Sequence, residues 1–275
     1  MDNMTIGFIG GGNMARSLIG GLLADGMEPQ RISVADPNRE CLQALREHFS
    51  VETSESGDAI ARVADVLVLA VKPQVLKQVA QALATTIQTR RPLVISIAAG
   101  VREANLRQWL GGNPAIVRAM PNTPALVQTG ATALFANPHV SEYQRELAES
   151  ILRAVGIALW LDDEEQMDAV TALSGSGPAY FFLVMEVLEA MGAELGLPPK
   201  TARLLTLQTA LGAAKMALES EEDVAELRQR VTSPGGTTEQ ALKVLEQGGV
   251  RRLFQSALQA AHSRSIEIAR LLGEA

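Results

Sequence analysis

The run Gly10-Gly11-Gly12-Asn13-Met14-Ala15 has the residue types and spacing of a turn that holds a diphosphate. It follows the short apolar stretch Thr5 to Ile9 and leads into an apolar-periodic stretch, Asn13 to Ala24, so it reads as strand, turn and helix. Gly10 permits the tight turn, Gly12 lets backbone approach a pyrophosphate, and Ala15 lets helix and sheet pack closely. The first helical N–H groups then face the anion. A glycine-rich turn without a ligand is the bland alternative, and the strand-turn-helix context favours dinucleotide binding.

Asp36 stands after a second strand, where an acidic residue about 20 residues beyond the glycines grips the ribose 2′-hydroxyl of NAD. Arg39, three residues on, has the geometry to pair with the 2′-phosphate of NADP, or to be a solvated charge at a helix start. The sequence leaves that choice open. Further strand ends, Ala70-Val71-Lys72-Pro73 and Ile97-Ala98-Ala99, join Ile9 and Ala35 as candidate cofactor contacts, because open α/β sheets bind ligands at carboxyl ends of strands. Pro73 keeps Lys72 extended, and two prolines stiffen Arg118 to Pro124.

Two more segments carry chemistry. Ser233-Pro234-Gly235-Gly236-Thr237-Thr238 exposes backbone amides ahead of a helix and suits a small carboxylate, with Thr237 and Gln240 spaced as a capping box. Thr171 leads into Ser174-Gly175-Ser176-Gly177-Pro178.

The elements that must position these residues fall into two halves. Up to about Leu161, β-rich runs (Thr5–Ile9, Arg31–Ala35, Asp65–Val71, Pro92–Ile97, Ala115–Met120) alternate with helical patterns, which predicts a doubly wound parallel sheet of the Rossmann type. Ala131–Phe135 and Gly156–Leu161 extend it. After Asp162-Asp163-Glu164-Glu165 the pattern is all-helical, so the predicted domains are 1–162, dinucleotide-binding, and 163–275, helical. The helix from Pro178 to Leu195 is apolar around most of its circumference, which predicts burial in an intertwined homodimer. Packing against its own Rossmann domain is the alternative.

The net charge of -7 disfavours nucleic acid and anionic membranes and favours a small-molecule partner. A single cysteine, Cys41, excludes an intrachain disulfide, and no ligand set for a metal is evident. The short N-terminal apolar run does not resemble a secretory signal, and no charge-free run reaches the roughly 18 residues of a membrane span, so a cytoplasmic protein is expected.

Gly7-Phe8-Ile9-Gly10-x-Gly12-Asn13-Met14, Ala70-Val71-Lys72-Pro73-Gln74, Met120-Pro121-Asn122-Thr123-Pro124, Thr171 to Tyr180 and Val231 to Thr238, in this order, closely resemble the pyrroline-5-carboxylate reductase family. The resemblance covers nearly the whole chain. It implies reduction of 1-pyrroline-5-carboxylate to L-proline by NADPH or NADH, the last step of proline biosynthesis; it favours NADP where Asp36 argues for NAD. It also implies that the substrate carboxylate is held by Ser233, Gly236, Thr237 and Thr238, that Thr171 faces the ring nitrogen, and that Glu164 bears on substrate binding. A homodimer and, in the family, rings of dimers follow from it.

The sequence departs from several family members at Gly57, where they carry Asn; Ser54 or Ser56 could replace its hydrogen bond. A cyclic imine, once protonated, is already an electrophile, so orientation and a proton matter more than a strong base. That fits three histidines, His48, His139 and His262, lying outside the motifs. A β-hydroxyacid dehydrogenase would need a lysine where Phe181 stands, and a cofactor-sensing protein would need no carboxylate loop.

Overall fold

The computed structural model describes residues 4–274. Its first elements are β1 (Ile6–Ile9), α1 (Asn13–Ala24), β2 (Ile32–Ala35), α2 (Arg39–Phe49), β3 (Glu52–Ser54), α3 (Gly57–Val63), β4 (Val66–Leu69), α4 (Pro73–Arg90), β5 (Leu93–Ser96), α5 (Glu103–Leu110), β6 (Ile116–Met120), β7 (Gly130–Ala136), α6 (Glu142–Arg153) and β8 (Gly156–Trp160). The helices α7 (Gln166–Val170), α8 (Gly177–Glu194), α9 (Pro199–Glu219), α10 (Val224–Arg230), α11 (Thr237–Gln247) and α12 (Val250–Glu274) follow, with one π-helical turn, Thr171–Gly175, between α7 and α8.

All eight strands form one sheet in the order β3-β2-β1-β4-β5-β6-β7-β8. β1, β2, β4 and β5 are fully buried because helices cover both faces, which is why they read as unbroken apolar runs rather than alternating ones. α1 buries Ala15, Leu18, Ile19 and Leu22, one stripe at helical spacing, against Phe8, Val34 and Val68. On the other face Leu76, Ala80, Leu83 and Ile87 of α4 pack with Leu67, Leu69 and Val94.

The expected parallel sheet has one exception: β7 runs antiparallel to β6, in the register Arg118↔Phe135. The connection 121–129 holds only a short 3-10 turn, Thr123–Val127, and a parallel return needs a crossover of a dozen or more residues. β8 then returns parallel to β7 through α6, whose capping box is formed by Ser141 and Gln144. The apolar runs did not reveal β3, a polar three-residue edge strand.

The chain divides into two compact units: one reaches Ser176 and takes up the residues from Ala261 onward, and the other is Gly177–Ala260. The strands end at Trp160, where composition changes, but the compact unit continues beyond it. The reason is a polar network. Asp168 accepts from Ser265 Oγ at 2.6 Å and from Arg102 Nη2 at 3.3 Å, tying α7 and the end of α12 to the sheet-bearing unit.

The helical unit has little core of its own. In α8 only Gly177 is buried and in α9 only Ala202, while Phe181, Phe182 and Leu183 are each 60% or more exposed. Among the described residues, Gln166–Glu194 is long and apolar enough to cross a membrane by length and composition, although Asp168 and Glu186 bound its charge-free part. Its most apolar stretch is only 11% buried.

Candidate active site

The glycine turn sits where the sheet order reverses, between β1 and the strands β2 and β4 on either side of it. The Gly10 N–H donates to Ala35 O at 2.7 Å and the Ala70 N–H to Ile9 O at 2.8 Å, so Ile9, Gly10, Ala35 and Ala70 lie together at the carboxyl edge. Gly10 has φ +103°, and a Cβ there would fall 2.6 Å from Ala70 O. Only glycine fits. At Gly12 a Cβ would meet nothing within 4 Å, so the space above the turn is open.

Gly12 is the N-cap of α1 and no side chain caps it, which leaves the first-turn amides, from Asn13 and Met14 onward, without intrahelical acceptors. An open concavity lined by such amides fits a diphosphate. Val71, Lys72 and Pro73 continue from β4 into α4, with Lys72 exposed as its N-cap. Ile97 N–H donates to Leu69 O at 3.2 Å, setting Ile97, Ala98 and Ala99 beside them.

Asp36 is fixed by two backbone donors: Gly11 N–H on Oδ2 and Asn38 N–H on Oδ1, each at 2.8 Å. Arg39 does not turn toward Asp36 but pairs with Glu55, Nε to Oε1 at 2.8 Å. Ser54 accepts from the Ser56 N–H and Ser56 caps α3 through the Ala59 N–H, so both hydroxyl oxygens proposed to replace the Asn are already engaged as acceptors.

Toward the end of the same unit, the Thr171 hydroxyl lies half-buried and donates to Met167 O at 2.8 Å, leaving its lone pairs to accept. The segment is locked to the sheet by Asn122, whose Nδ2 donates to Ser174 O at 3.1 Å while its Oδ1 accepts from Ala131 N–H at 2.9 Å. A Cβ at Gly175 would fall 2.6 Å from Met120 Cε, so that glycine admits the methionine.

Glu164 lies just ahead of α7, which begins at Gln166, while Thr171 opens the π-helical turn that follows that helix. The Glu164 carboxylate accepts from the Glu103 N–H at 2.6 Å and from Arg118 Nη1 at 2.5 Å. Arg118 is a buried strand residue, and a buried guanidinium requires a counter-charge. Glu103 in turn accepts from Asn137 Nδ2 at 2.8 Å. Reading motifs alone missed these roles of Asn122, Arg118 and Asp168; the signal available was an arginine inside the apolar strand Ile116–Met120.

In the helical unit, Ser233-Pro234-Gly235-Gly236 is a tight turn closed by Gly236 N–H to Ser233 O at 3.0 Å, with Gly235 at φ +72°. The expected capping box of Thr237 and Gln240 is absent: Gly236 is the N-cap and no side chain caps α11. Glu239 instead accepts from the Gly235 N–H at 2.8 Å, a charged acceptor binding more strongly than a neutral hydroxyl would. The loop amides thus already hold one carboxylate, and those of Thr237 and Thr238 have no intrahelical acceptor.

The reversed sheet order and the open glycine turn define a Rossmann-type dinucleotide-binding protein. Residues 5–100 match the family described as NADP oxidoreductase coenzyme F420-dependent, and residues 164–268 match pyrroline-5-carboxylate reductase dimerisation. A pyrroline-5-carboxylate reductase of Pseudomonas aeruginosa is 53% identical over 274 residues, covering 100% of each chain. That of Haemophilus influenzae is 44% identical over 269 residues, 98% of each. The solved structure of a pyrroline-5-carboxylate reductase from Coxiella burnetii matches with a TM-score of 0.92 at 52% identity, covering 96% of this chain and 98% of that one. The Plasmodium falciparum pyrroline carboxylate reductase, solved with NADP bound, matches with a TM-score of 0.88 at 30% identity, covering 98% and 99%. The chain belongs to the pyrroline-5-carboxylate reductase family.

Proposed function

We propose that this protein reduces 1-pyrroline-5-carboxylate to L-proline, closing proline biosynthesis, with a reduced nicotinamide dinucleotide held at the turn Gly10 to Met14. The observation that carries the reading is the open glycine turn at the sheet reversal, in a chain identical to a named reductase at about half of its positions.

The bound dinucleotide supplies a hydride to C5 of the imine. This chain's residues do the rest. Gly10 and Gly12 let the diphosphate approach, and Asp36 accepts from the adenosine ribose. Ile97, Ala98 and Ala99 border the same carboxyl edge. Thr171, with its proton committed to Met167 O, offers a lone pair to the N–H of the protonated imine and then of the amine, so it orients the ring and acts as an acceptor. The amides of Thr237 and Thr238, which have no intrahelical acceptor, take the substrate carboxylate, with Ser233 and Gly236 shaping the same turn. Glu164 is a positioning residue here, fixing Arg118 and α5.

The apolar helices of the second unit support a homodimer, since Phe181, Phe182, Val187 and Leu188, spread around α8, are apolar surface that a single chain leaves wet. The dimerisation match over 164–268 favours that reading over a membrane span and supports a cytoplasmic enzyme, with rings of dimers as a further level of assembly. Following proline formation and cofactor oxidation with purified protein tests the activity. No turnover with either reduced cofactor would overturn it.

A further inference from the structure

The carboxyl edge of β2 and β3 carries two carboxylates side by side. Ala35 pairs with Ser54 in the parallel register, and the Asp36 N–H donates to Ser54 O at 3.3 Å, so Asp36 and Glu55 each stand one step past the last paired residues. This is the edge at which a Rossmann site reads the 2′ position of the adenosine ribose. Asp36 cannot swing away without breaking the bonds from Gly11 and Asn38, and each of its oxygens keeps a lone pair for a ribose hydroxyl.

Arg39, the cation nearest this edge in sequence, is paired with a carboxylate, and Arg46 and Arg16 each donate to a neutral acceptor. Arg39 makes a two-point fork on Glu55, Nε to Oε1 at 2.8 Å and Nη2 to Oε2 at 3.3 Å. Arg46 donates to Thr53 Oγ1 at 2.6 Å, and Arg16 to Gly11 O at 3.2 Å. A 2′-phosphate brought here meets a pinned carboxylate and a guanidinium already matched by another. A 2′-hydroxyl meets an acceptor.

We propose that this chain selects NADH over NADPH, and that Glu55 is a specificity-determining residue which withholds Arg39 from a 2′-phosphate while Asp36 accepts from the 2′-hydroxyl. The proposal rests on the reading of the glycine turn as a dinucleotide site and adds to it the identity of the nucleotide. Because the Arg39–Glu55 pair is exposed, its hold on Arg39 is modest, and removing it shifts selectivity by several-fold rather than by orders of magnitude.

Dissociation constants for NADH and NADPH, measured by titrating nicotinamide fluorescence against wild type, Glu55→Gln and the double variant Glu55→Gln with Arg39→Gln, test it. Wild type should bind NADH about tenfold more tightly than NADPH or better. Glu55→Gln should move the ratio about fivefold toward NADPH, and adding Arg39→Gln should cancel that gain. Equal or tighter NADPH binding by wild type, or a ratio unmoved by Glu55→Gln, overturns the proposal. A protein that prefers NADH but does not reduce the imine defeats the proposed function and leaves this inference standing, whereas one that makes proline with a preference for NADPH defeats this inference alone. Binding neither nucleotide defeats both.

Discussion

The side-chain amide of Asn122 joins the start of β7 to the turn that carries the Thr171 segment, donating to Ser174 O at 3.1 Å and accepting from Ala131 N–H at 2.9 Å. One side chain thereby sets the distance between the sheet edge and the helix bearing Thr171. Asn122→Ala should cost about 1–2 kcal/mol of stability. It should also lower kcat more than it raises the cofactor KM. Melting curves and steady-state kinetics check both.

Thr171→Val removes the hydroxyl at nearly constant volume. Since Thr171 is proposed to orient the ring, turnover should fall by about tenfold or more while the dissociation constant of the nucleotide stays nearly the same. Unchanged turnover would remove Thr171 from the site.

Gly10→Ala introduces a Cβ 2.6 Å from the Ala70 carbonyl oxygen at a φ of +103°. Strain of this kind costs about 1–3 kcal/mol and must displace β4 from the turn. Nucleotide binding should weaken by about tenfold or more, read by fluorescence titration.

Glu164→Gln leaves the Arg118 guanidinium without its counter-charge, at positions whose side chains are 11% and 18% exposed. The loss should be about 3 kcal/mol. If Glu164 touched substrate instead of positioning Arg118, KM would rise at unchanged melting temperature.

Asp58 is held below the usual carboxylate range, first by the Thr86 hydroxyl and then by Arg62. A depressed carboxyl stabilises the fold above its unfolded value and loses that contribution as pH falls through the folded one. Asp58→Asn should therefore flatten the decline of melting temperature below about pH 4, where unperturbed carboxylates titrate.

Much of the first unit was legible because its signals are local. Gly10, Gly12 and Ala15 announce the turn, and the buried strands announce themselves as apolar runs. What escaped depends on distant partners: β3 is polar because it lies at an edge, β7 turns antiparallel because its connection is short, and Arg118 meets Glu164 across 46 positions of sequence. Thr237 and Gln240 had the spacing of a capping box, yet Glu239 reached the loop instead. Asp36 and Arg39 were ambiguous for the same reason. Their meaning depends on Glu55, which only the register of β2 with β3 brings alongside.

The central claim is a hydride delivered to the imine carbon. Purified protein given 1-pyrroline-5-carboxylate and a nicotinamide dinucleotide deuterated at both C4 positions should yield L-proline with one deuteron at C5 for each cofactor oxidised. Cofactor oxidation without labelled proline, or no oxidation of either NADH or NADPH, would contradict the account.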